Sequence, residues 1–307
     1  MIGKSNSAVL MFHYVQPKTD RILPQLNCCS LEQFRMILDW LQERFTLPNP
    51  HVCLDHIASY GVLPRGSSLL TFDDDTQDHW QWVYPELSKR NLSGIFFVST
   101  APLAARGLLK VHKAHILYGS LGYDKFFENF KKSFLKNNGN AAVFNDHNAE
   151  NAYPYDTRQI AGFKYAINFK INSDEVESIF DDLLCSIKDV NLISNNYYLT
   201  QENIKEMKEN GMVFGFHGHS HKAFSTLPEK TLLDELRMSK NFFLDTIGEI
   251  PNCISYPFGD INCVRNEQLV SIRDFGVKVG FLAEENSSKN PMKTSRVDCL
   301  ELMELTN

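Results

Sequence analysis

Three consecutive acidic residues end an apolar run in the first third of the chain. The segment LLTFDDDTQDHW (69–80) changes from apolar to acidic at Asp73, Asp74 and Asp75. Adjacent carboxylates repel one another, and a buried carboxylate without a partner is costly. A solvent-exposed turn or a helix N-cap is one explanation, since Asp is common in both. The other is a metal-binding or acid–base site at the end of a strand, which requires further polar side chains nearby.

A second cluster of chemically useful side chains lies later in the chain. The segment FGFHGHSH places His217, His219 and His221 directly after the apolar run MVFGF. A spacing of two puts side chains on one face of an extended chain, and a spacing of four lets a turn bring the outer pair together. Neutral imidazole is a common metal ligand near neutral pH. The alternative is a polar loop that happens to be rich in His, which three His within five residues disfavour.

Two imidazoles and one carboxylate are a frequent ligand set for a catalytic divalent ion, with one position left for water. Such an ion lowers the pKa of its water and polarises a carbonyl group. A second carboxylate can then accept the proton of the water. Asp73 and Asp74 point in different directions from consecutive positions, so that one can bind an ion while the other acts as a base.

The elements that position these residues alternate along much of the chain. Strands are predicted at 8–15, 68–72, 94–100, 212–216, 253–258 and 279–284. Helices are predicted between them, and Ser30 and Thr200 are expected N-caps. This alternation predicts a parallel α/β sheet. In barrels of this type the active site lies at the C-terminal ends of the strands, where both the acids and the His cluster are expected.

The segment 104–198 interrupts this alternation. Apolar spacing predicts helices at 123–137 and 173–190, separated by a polar, Asn-rich stretch. We therefore predict a single domain, 1–307, with a helical insertion at 104–198. His112 and His115 have helical spacing and no acids nearby, and we interpret them as structural or groove-lining.

The composition limits the possible functions. The chain has 307 residues, a net charge of −6 and a pI near 5.9, so no nucleic acid or anionic membrane surface is an expected partner. No stretch approaches the roughly 18 apolar residues of a membrane span, and MIGKSNSAVLMFHYV shows no signal peptide. Of the seven Cys, two are adjacent at 28–29 and five are scattered, without a CxxC pair, which favours free thiols. We therefore expect a cytoplasmic protein.

The two clusters resemble motifs of the polysaccharide deacetylase family (carbohydrate esterase family 4, the NodB-homology group). This resemblance implies a metal-dependent enzyme with a distorted (β/α)7 barrel. TFDDD at 71–75 resembles the first motif, Thr-Phe-Asp-Asp-Gly, and implies Asp73 as the catalytic base and Asp74 as a metal ligand. HGHSH resembles the second motif, His-(Ser/Thr)-x-x-His, and implies His217 and His221 as ligands, with His219 at a variable position. The resemblance covers roughly residues 8–102 and 200–298.

The segment ISYPFGD (254–260) resembles the third motif, which ends in Pro-(Tyr/Phe)-Gly and forms one wall of the groove. The resemblance implies that the backbone N–H of Phe258 helps to hold the oxyanion. Tyr256 and Pro257 are expected to bind substrate, together with Asp75. Many members carry an Arg early in this motif, where Ser255 stands here.

Three further features depart from the pattern or complete it. Asp75 replaces the Gly of the first motif, and Gly tolerates backbone angles that Asp adopts less readily. The late Leu-x-x-His motif is absent, because no His follows His221. Members resembling poly-N-acetylglucosamine deacetylases supply that His from an N-terminal strand, and MFHYV resembles that strand. His13 is therefore the expected general acid, with a core histidine as the alternative. Arg296 in SRVDC is expected either to orient Asp73 by an ion pair or to be a surface residue.

Together these features predict a metal-dependent deacetylase that hydrolyses the N-acetyl amide of an amino sugar. Its expected substrate is an N-acylated sugar, as a cytoplasmic precursor in surface polysaccharide biosynthesis. Zinc is the expected ion, and Co²⁺, Ni²⁺ or Fe²⁺ suit the same ligands. The alternatives are a deformylase or other amidase on the same barrel, and a carbohydrate-binding pseudoenzyme. The sequence does not indicate an oligomeric state.

Overall fold

The computed structural model describes residues 7–19, 23, 26, 28–105, 107–153, 156–260, 262–284 and 288–306. These residues form two compact units. Of the described residues, the barrel unit contains those up to 19, those from 28 to 107 and those from 195 onward, and the helical unit contains those from 108 to 194 together with 23 and 26. The interpretation as a single domain with an insertion at 104–198 stays a prediction.

The barrel unit is built on a parallel sheet. Its strands in chain order are β1 Ala8–Phe12, β2 Val15–Gln16, β3 Cys29–Ser30, β4 Ser68–Phe72, β5 Ile95–Val98, β6 Val213–Phe216, β7 Cys253–Ser255, β8 Val279–Phe281 and β9 Val297–Asp298. Seven of them form one sheet in the order β8-β7-β6-β5-β4-β1-β9, while β2 and β3 form a separate parallel pair. The parallel α/β prediction is therefore confirmed.

The segment 294–298 connects the two edges of this sheet. Thr294 forms a parallel bridge with Phe281 of β8, and its N–H donates to the carbonyl of Gly280 at 2.8 Å. A few residues later, Val297 and Asp298 pair with β1. The sheet consequently curls into a distorted barrel, as predicted. Arg296 lies within this closing segment.

Helices accompany the strands. In chain order they are α1 Leu31–Arg44, α2 Pro50–Tyr60, α3 Tyr84–Lys89, α4 Thr100–Ala105, α5 Lys110–Leu121, α6 Tyr123–Lys136, α7 Ala149–Ala152, α8 Arg158–Tyr165, α9 Ser173–Leu184, α10 Val190–Asn195, α11 Gln201–Glu209, α12 Glu229–Ile247, α13 Asn266–Asp274 and α14 Cys299–Thr306. Ser30 and Thr200 are N-caps with capping boxes, as their side chains predict. Within the described ranges, no helix combines the length and apolarity that a membrane span requires.

The strands pack on both of their faces. One face joins a large apolar cluster with the surrounding helices, through residues such as Leu10, Phe72 and Phe214. Alternate residues form a second cluster with α2: Val9, Leu69, Ile95, Phe97, Val213, Cys253, Val279, Phe281, Cys53, Leu54 and Ile57. Gly215 lies on the face of this second cluster, and a Cβ there would approach the Phe97 ring to 2.4 Å. By alternation, the same face continues to Asp73, His217 and Ser255.

The helical unit has an aromatic core of its own. Seven phenylalanine rings pack against one another in edge and stacked contacts: Phe126, Phe127, Phe130, Phe134, Phe144, Phe163 and Phe180. Lys113 of α5 pairs with Asp181 of α9 at 2.7 Å. His112 is buried in the same helix, with the His115 ring 5.7 Å away, which fits the structural interpretation of both.

Several boundaries differ from the sequence prediction. β1 ends at Phe12, so His13 lies beyond the strand. The segment 79–83 forms a π-helical turn before α3. Helix α2 and strand β9 were not predicted, although Asn49 as N-cap and Gly61 as C-cap mark the ends of α2. β9 has only two residues, which is too short for a periodic pattern.

Candidate active site

The predicted chemical residues lie at the C-terminal ends of neighbouring strands. His13 follows β1, Asp73 and Asp74 follow β4, and His217 follows β6. Because β1, β4, β5, β6 and β7 are neighbours in the sheet, segments far apart in sequence meet at one edge. The location agrees with the expectation for barrels of this type.

The structure brings Asp74, His217 and His221 together. Oδ1 of Asp74 lies 3.3 Å from Nε2 of His217 and 3.3 Å from Nε2 of His221. The three side chains are buried, and their candidate ligand atoms all lie within 4.8 Å of one another. One oxygen and two imidazole nitrogens at this separation suit a divalent transition ion. The residues therefore fit the metal site that the sequence predicts.

A hydrogen bond outside the cluster orients His217. Nδ1 of His217 lies 2.8 Å from the carbonyl oxygen of Ser255. A carbonyl oxygen only accepts, so Nδ1 carries a proton, and in the neutral imidazole Nε2 is the nitrogen that can bind an ion. Burial alone would lower the pKa of His217, but the Asp73 and Asp74 carboxylates outweigh it and raise the pKa.

Asp73 has different partners from Asp74. The guanidinium of Arg296 binds both oxygens of Asp73, at 2.8 Å for Oδ1 and 2.7 Å for Oδ2. The Ser255 hydroxyl donates to Oδ2 at 3.0 Å. Burial alone would raise the pKa of Asp73, but the charges of Arg296 and His217, and to a smaller extent of His13, lower it to about 2. Asp73 is therefore a buried carboxylate that stays ionised at neutral pH.

Arg296 is buried, and this decides between the two interpretations of its sequence position. Its side chain is 1% exposed. Besides binding Asp73, it donates from Nε to the carbonyl of Leu282 at 3.1 Å and from Nη2 to the Ser255 hydroxyl at 2.8 Å. The alternative of a surface arginine is therefore wrong. The small Ser255 leaves space for a guanidinium that arrives from the closing segment instead of from the third motif.

The site contains several non-glycine residues with left-handed backbone angles. The φ values are 79° at Asp74, 42° at Asp75, 52° at His221 and 68° at Phe258. Such conformations cost of order 1–3 kcal/mol each and persist where the surroundings enforce them. Asp75 thus adopts the type of backbone angle for which the first motif normally uses Gly.

His13 lies at the edge of the site and is partly buried. Nε2 of His79 donates to its carbonyl oxygen at 2.7 Å. The N–H of Val15 donates to Oδ2 of Asp78 at 2.6 Å. The segment after the three acids therefore holds the backbone of residues 13–15. Neither of these hydrogen bonds involves the imidazole of His13.

Of the residues expected to bind substrate, two are placed otherwise. Tyr256 is 1% exposed, and its hydroxyl donates to the carbonyl of Met292 at 3.0 Å. Asp75 is fully buried, and its Oδ1 accepts from the N–H of Ser99 at 3.0 Å. Direct substrate contact by these two side chains is therefore incompatible with their burial. Pro257 is buried next to Gly218 of the His loop.

The ring of Phe258 packs edge-on against the imidazole of His221, with centroids 5.2 Å apart. The family resemblance implies a role only for the backbone N–H of Phe258. The contact between its ring and His221 was not predicted. His219 points elsewhere, with Nδ1 at 2.8 Å from the Thr100 hydroxyl. It lies outside the cluster, as a loop residue at a variable position should.

Two groups of residues near the site are not predicted by any motif in the sequence. Glu235 of α12 accepts hydrogen bonds from the N–H groups of His219 and Ser220. The available indication in the sequence was a glutamate on the apolar face of an amphipathic helix, three residues after Leu232. Tyr14 and Tyr197 pair through their hydroxyls at 2.6 Å. Burial chiefly raises both of their pKa values, with a contribution from the charge of Asp74, so both stay protonated beside it.

Comparisons with known proteins agree with this fold. The deacetylase PplD of Streptococcus pyogenes, solved in complex with acetate, superposes with a TM-score of 0.59 at 15% identity, over 98% of this chain and 97% of that chain. IcaB from Ammonifex degensii gives 0.54 at 17% identity, over 95% and 90%. A de-N-acetylase from Aggregatibacter actinomycetemcomitans gives 0.57 at 13% identity, over 95% of each chain. No curated protein matches the chain.

A sequence model of one family also matches. The model describes the polysaccharide deacetylases and matches residues 121–279, slightly more than half of the chain. The match includes His217, His221 and the third motif, while His13, the acid pair and Arg296 lie outside it. The resemblance to this family is therefore confirmed, and the chain belongs to the polysaccharide deacetylase family and is an amide hydrolase of the N-deacetylase type.

Proposed function

We propose that this enzyme is a metal-dependent deacetylase that removes the N-acetyl group of an amino sugar. The observation that supports this most strongly is the juxtaposition of two differently held carboxylates. Asp74 faces two imidazole nitrogens at 3.3 Å. Asp73, its neighbour in the chain, is held by Arg296 and has no contact with those nitrogens within ion-pair distance among the described residues. This division is what metal-assisted hydrolysis requires.

Asp74, His217 and His221 would hold the ion. A bound divalent metal supplies Lewis acidity, lowering the pKa of water and polarising a carbonyl group. The hydrogen bond from His217 to Ser255 keeps Nε2 available as a ligand atom. Zinc suits two imidazoles and one carboxylate, and Co²⁺, Ni²⁺ and Fe²⁺ are the alternatives.

Asp73 accepts the proton of the attacking water. Its charge is maintained at neutral pH because Arg296, together with His217, outweighs burial and lowers its pKa to about 2. The bidentate contact and the Ser255 hydroxyl fix the carboxylate plane, so that the base needs no reorientation during the reaction. Arg296 is thus a positioning residue for the base.

His13 donates a proton to the leaving amine as the C–N bond breaks. Its place after β1 and the support of its carbonyl by His79 suit a fixed donor. The backbone N–H of Phe258 stabilises the oxyanion. Pro257 and Phe258 form the adjoining wall, while Tyr256 and Asp75 support it from within.

For the substrate, we propose an N-acetylated precursor of a surface polysaccharide, carried on a nucleotide or a lipid in the cytoplasm. All seven cysteines lie in the described residues, and none of them is in a disulfide. Thiols in this number suit a reducing compartment. A deformylase would use the same metal ligands and the same base, so the identity of the acyl product separates the two.

The test is acetate release by zinc-loaded protein from N-acetylated nucleotide sugars. We expect acetate, and we expect Asp73→Asn to lower kcat at least about 10²-fold, the low end for loss of a general base. Asp274→Asn, at an exposed position of α13, is the matched control and should retain full activity. Formate in place of acetate would identify a deformylase. Full activity of Asp73→Asn would refute the assignment of the base.

A further inference from the structure

A buried carboxylate lies beneath the loop that carries both imidazoles. Glu235, in the middle of α12, is 5% exposed. Its Oε2 accepts from the N–H of His219 at 2.9 Å and from the N–H of Ser220 at 2.7 Å. Its Oε1 accepts from the Ser220 hydroxyl at 2.5 Å. All three donors belong to the two consecutive residues between Gly218 and His221.

These contacts account for the burial of the charge. A carboxylate removed from water needs hydrogen bonds or a cation in compensation. The described residues give Glu235 no ion-pair partner within 4.0 Å, so its compensation comes from the loop. Two backbone N–H groups and one hydroxyl form strong charge-assisted hydrogen bonds. The carboxylate and the loop conformation therefore depend on each other.

The loop itself requires support from outside. Gly218 has φ 75° and His221 has φ 52°, so the loop is irregular at both ends and lacks a repeating hydrogen-bond pattern. Its other side is held by the first turn of α4, where the N–H of Ala101 donates to the carbonyl of His219 at 2.9 Å. Residue 219 is thus held between Glu235 on its N–H and Ala101 on its carbonyl.

We propose that Glu235 is a positioning residue for the metal ligands: it fixes the backbone between His217 and His221 so that both Nε2 atoms face Asp74. The inference rests on the proposed metal dependence. Glu235 touches neither the ligand atoms nor the substrate site, and it acts only through the loop. Outer residues of this kind typically change metal affinity by about 10- to 100-fold.

Co²⁺ binding tests the proposal directly. Metal-free protein is titrated with Co²⁺ in competition with a chelator, and the visible spectrum reports the coordination geometry. We expect Glu235→Ala to bind Co²⁺ at least about 10-fold more weakly and with an altered spectrum. Glu235→Gln should lose less, because the amide oxygen still accepts from the loop. Asp234→Ala, at the adjacent position, whose side chain is 45% exposed, should match the wild type.

Amide hydrogen exchange of the metal-free protein supplies the second measurement. We expect the peptide containing 217–221 to exchange faster in Glu235→Ala and Glu235→Gln than in Asp234→Ala. If Glu235→Ala does not fold, Glu235→Gln decides both measurements. Wild-type Co²⁺ affinity, spectrum and exchange in the folded Glu235 variants would overturn the proposal. A wild-type protein that binds no Co²⁺ would instead overturn the proposed function, while exchange still reports on the contact between Glu235 and the loop.

Discussion

Asp73 and Asp74 are consecutive in the sequence, but the fold gives each a different chemical environment. Asp73 lies against a guanidinium, and Asp74 lies against two imidazoles. The left-handed angle of Asp74 contributes, because it turns the chain between the two side chains. Neighbouring carboxylates can therefore have separate roles without sharing a proton.

Replacing Arg296 should change the pH dependence of the reaction. In Arg296→Gln the guanidinium no longer offsets burial, which by itself raises the pKa of Asp73. We therefore expect the acid limb of the kcat–pH profile to move to higher pH. We also expect kcat at neutral pH to fall by up to about 10²-fold through loss of orientation.

Arg296→Lys, which keeps the charge but loses the bidentate contact, should leave the acid limb closer to that of the wild type. An unchanged profile in Arg296→Gln would contradict this account.

The affinity for zinc should distinguish the proposed roles of Asp73 and Asp74. Asp74→Asn removes a charged ligand, so we expect at least about 100-fold weaker zinc binding, more than an outer residue typically contributes. Asp73→Asn leaves the three ligands in place, and its affinity should stay close to that of the wild type. Zinc competition with a fluorescent chelator measures both variants. Equal losses in the two variants would show that Asp73 also binds the ion.

The spacing within one loop is enough to predict that His217 and His221 lie close together, as the proposed ligand pair. The ion pair between Asp73 and Arg296 is different. It depends on how the closing segment meets β1 and β8, which no local pattern in the sequence specifies. From the sequence alone, Arg296 could therefore have been a surface residue. Ser255 could be recognised only as a departure from the third motif.

At the scale of elements, the site depends on how the short segments between strands are anchored. The π-helical turn at 79–83 follows directly after the acid loop, and its first residue holds the carbonyl of His13. His79 is fully buried between the rings of Phe72 and Phe96. The segment 73–79 thus carries the proposed base, Asp73, and supports the proposed acid, His13.

His79→Phe should slow the reaction through His13. Phenylalanine keeps the aromatic packing but cannot donate to the carbonyl of His13. We expect kcat to fall about 10-fold with KM little changed, less than the 10²–10⁴-fold range for losing an acid altogether. In a His13→Ala background the same change should have little further effect, which a double-mutant cycle would show. Additive losses in the cycle would argue against the coupling.

The π-helical turn could not be predicted from local sequence. Its residues HWQWV have helical character, and no local pattern distinguishes this turn from the α-helix that follows it. Long elements were more predictable: α11 begins directly after Thr200, its predicted N-cap, because its capping box and apolar spacing agree.

At the scale of the whole molecule, the alternation of strands and helices predicted the parallel sheet, and the motifs predicted the barrel family. Strand β9 was missed, because two residues carry no periodicity. For the helical unit, the sequence predicts amphipathic helices but not which phenylalanine rings contact one another. Those contacts depend on how α6, α8 and α9 pack.

The burial of the cysteines gives a prediction for the whole chain. Cys185 is exposed, and the other six are buried. Burial raises the pKa of the Cys53 thiol to about 11. The thiol therefore stays protonated at pH 8, and the thiolate forms only as the pH rises through about 11. We expect a disulfide reagent at pH 8 to modify one thiol per native chain, and none in Cys185→Ser. Unfolding in denaturant should expose all seven. Two or more fast-reacting thiols in the native protein would contradict the fold.

The position of the closing segment near the end of the chain determines when Asp73 can form its ion pair with Arg296. Residues 294–298 join both edges of the sheet and carry Arg296. During synthesis on the ribosome, Asp73 and its strand emerge long before this arginine. Until the last part of the chain arrives, the carboxylate has either to remain hydrated or to pick up a proton. A nascent chain that lacks this segment should therefore stay open at the seam between β1 and β8, and it should be inert even if zinc is abundant.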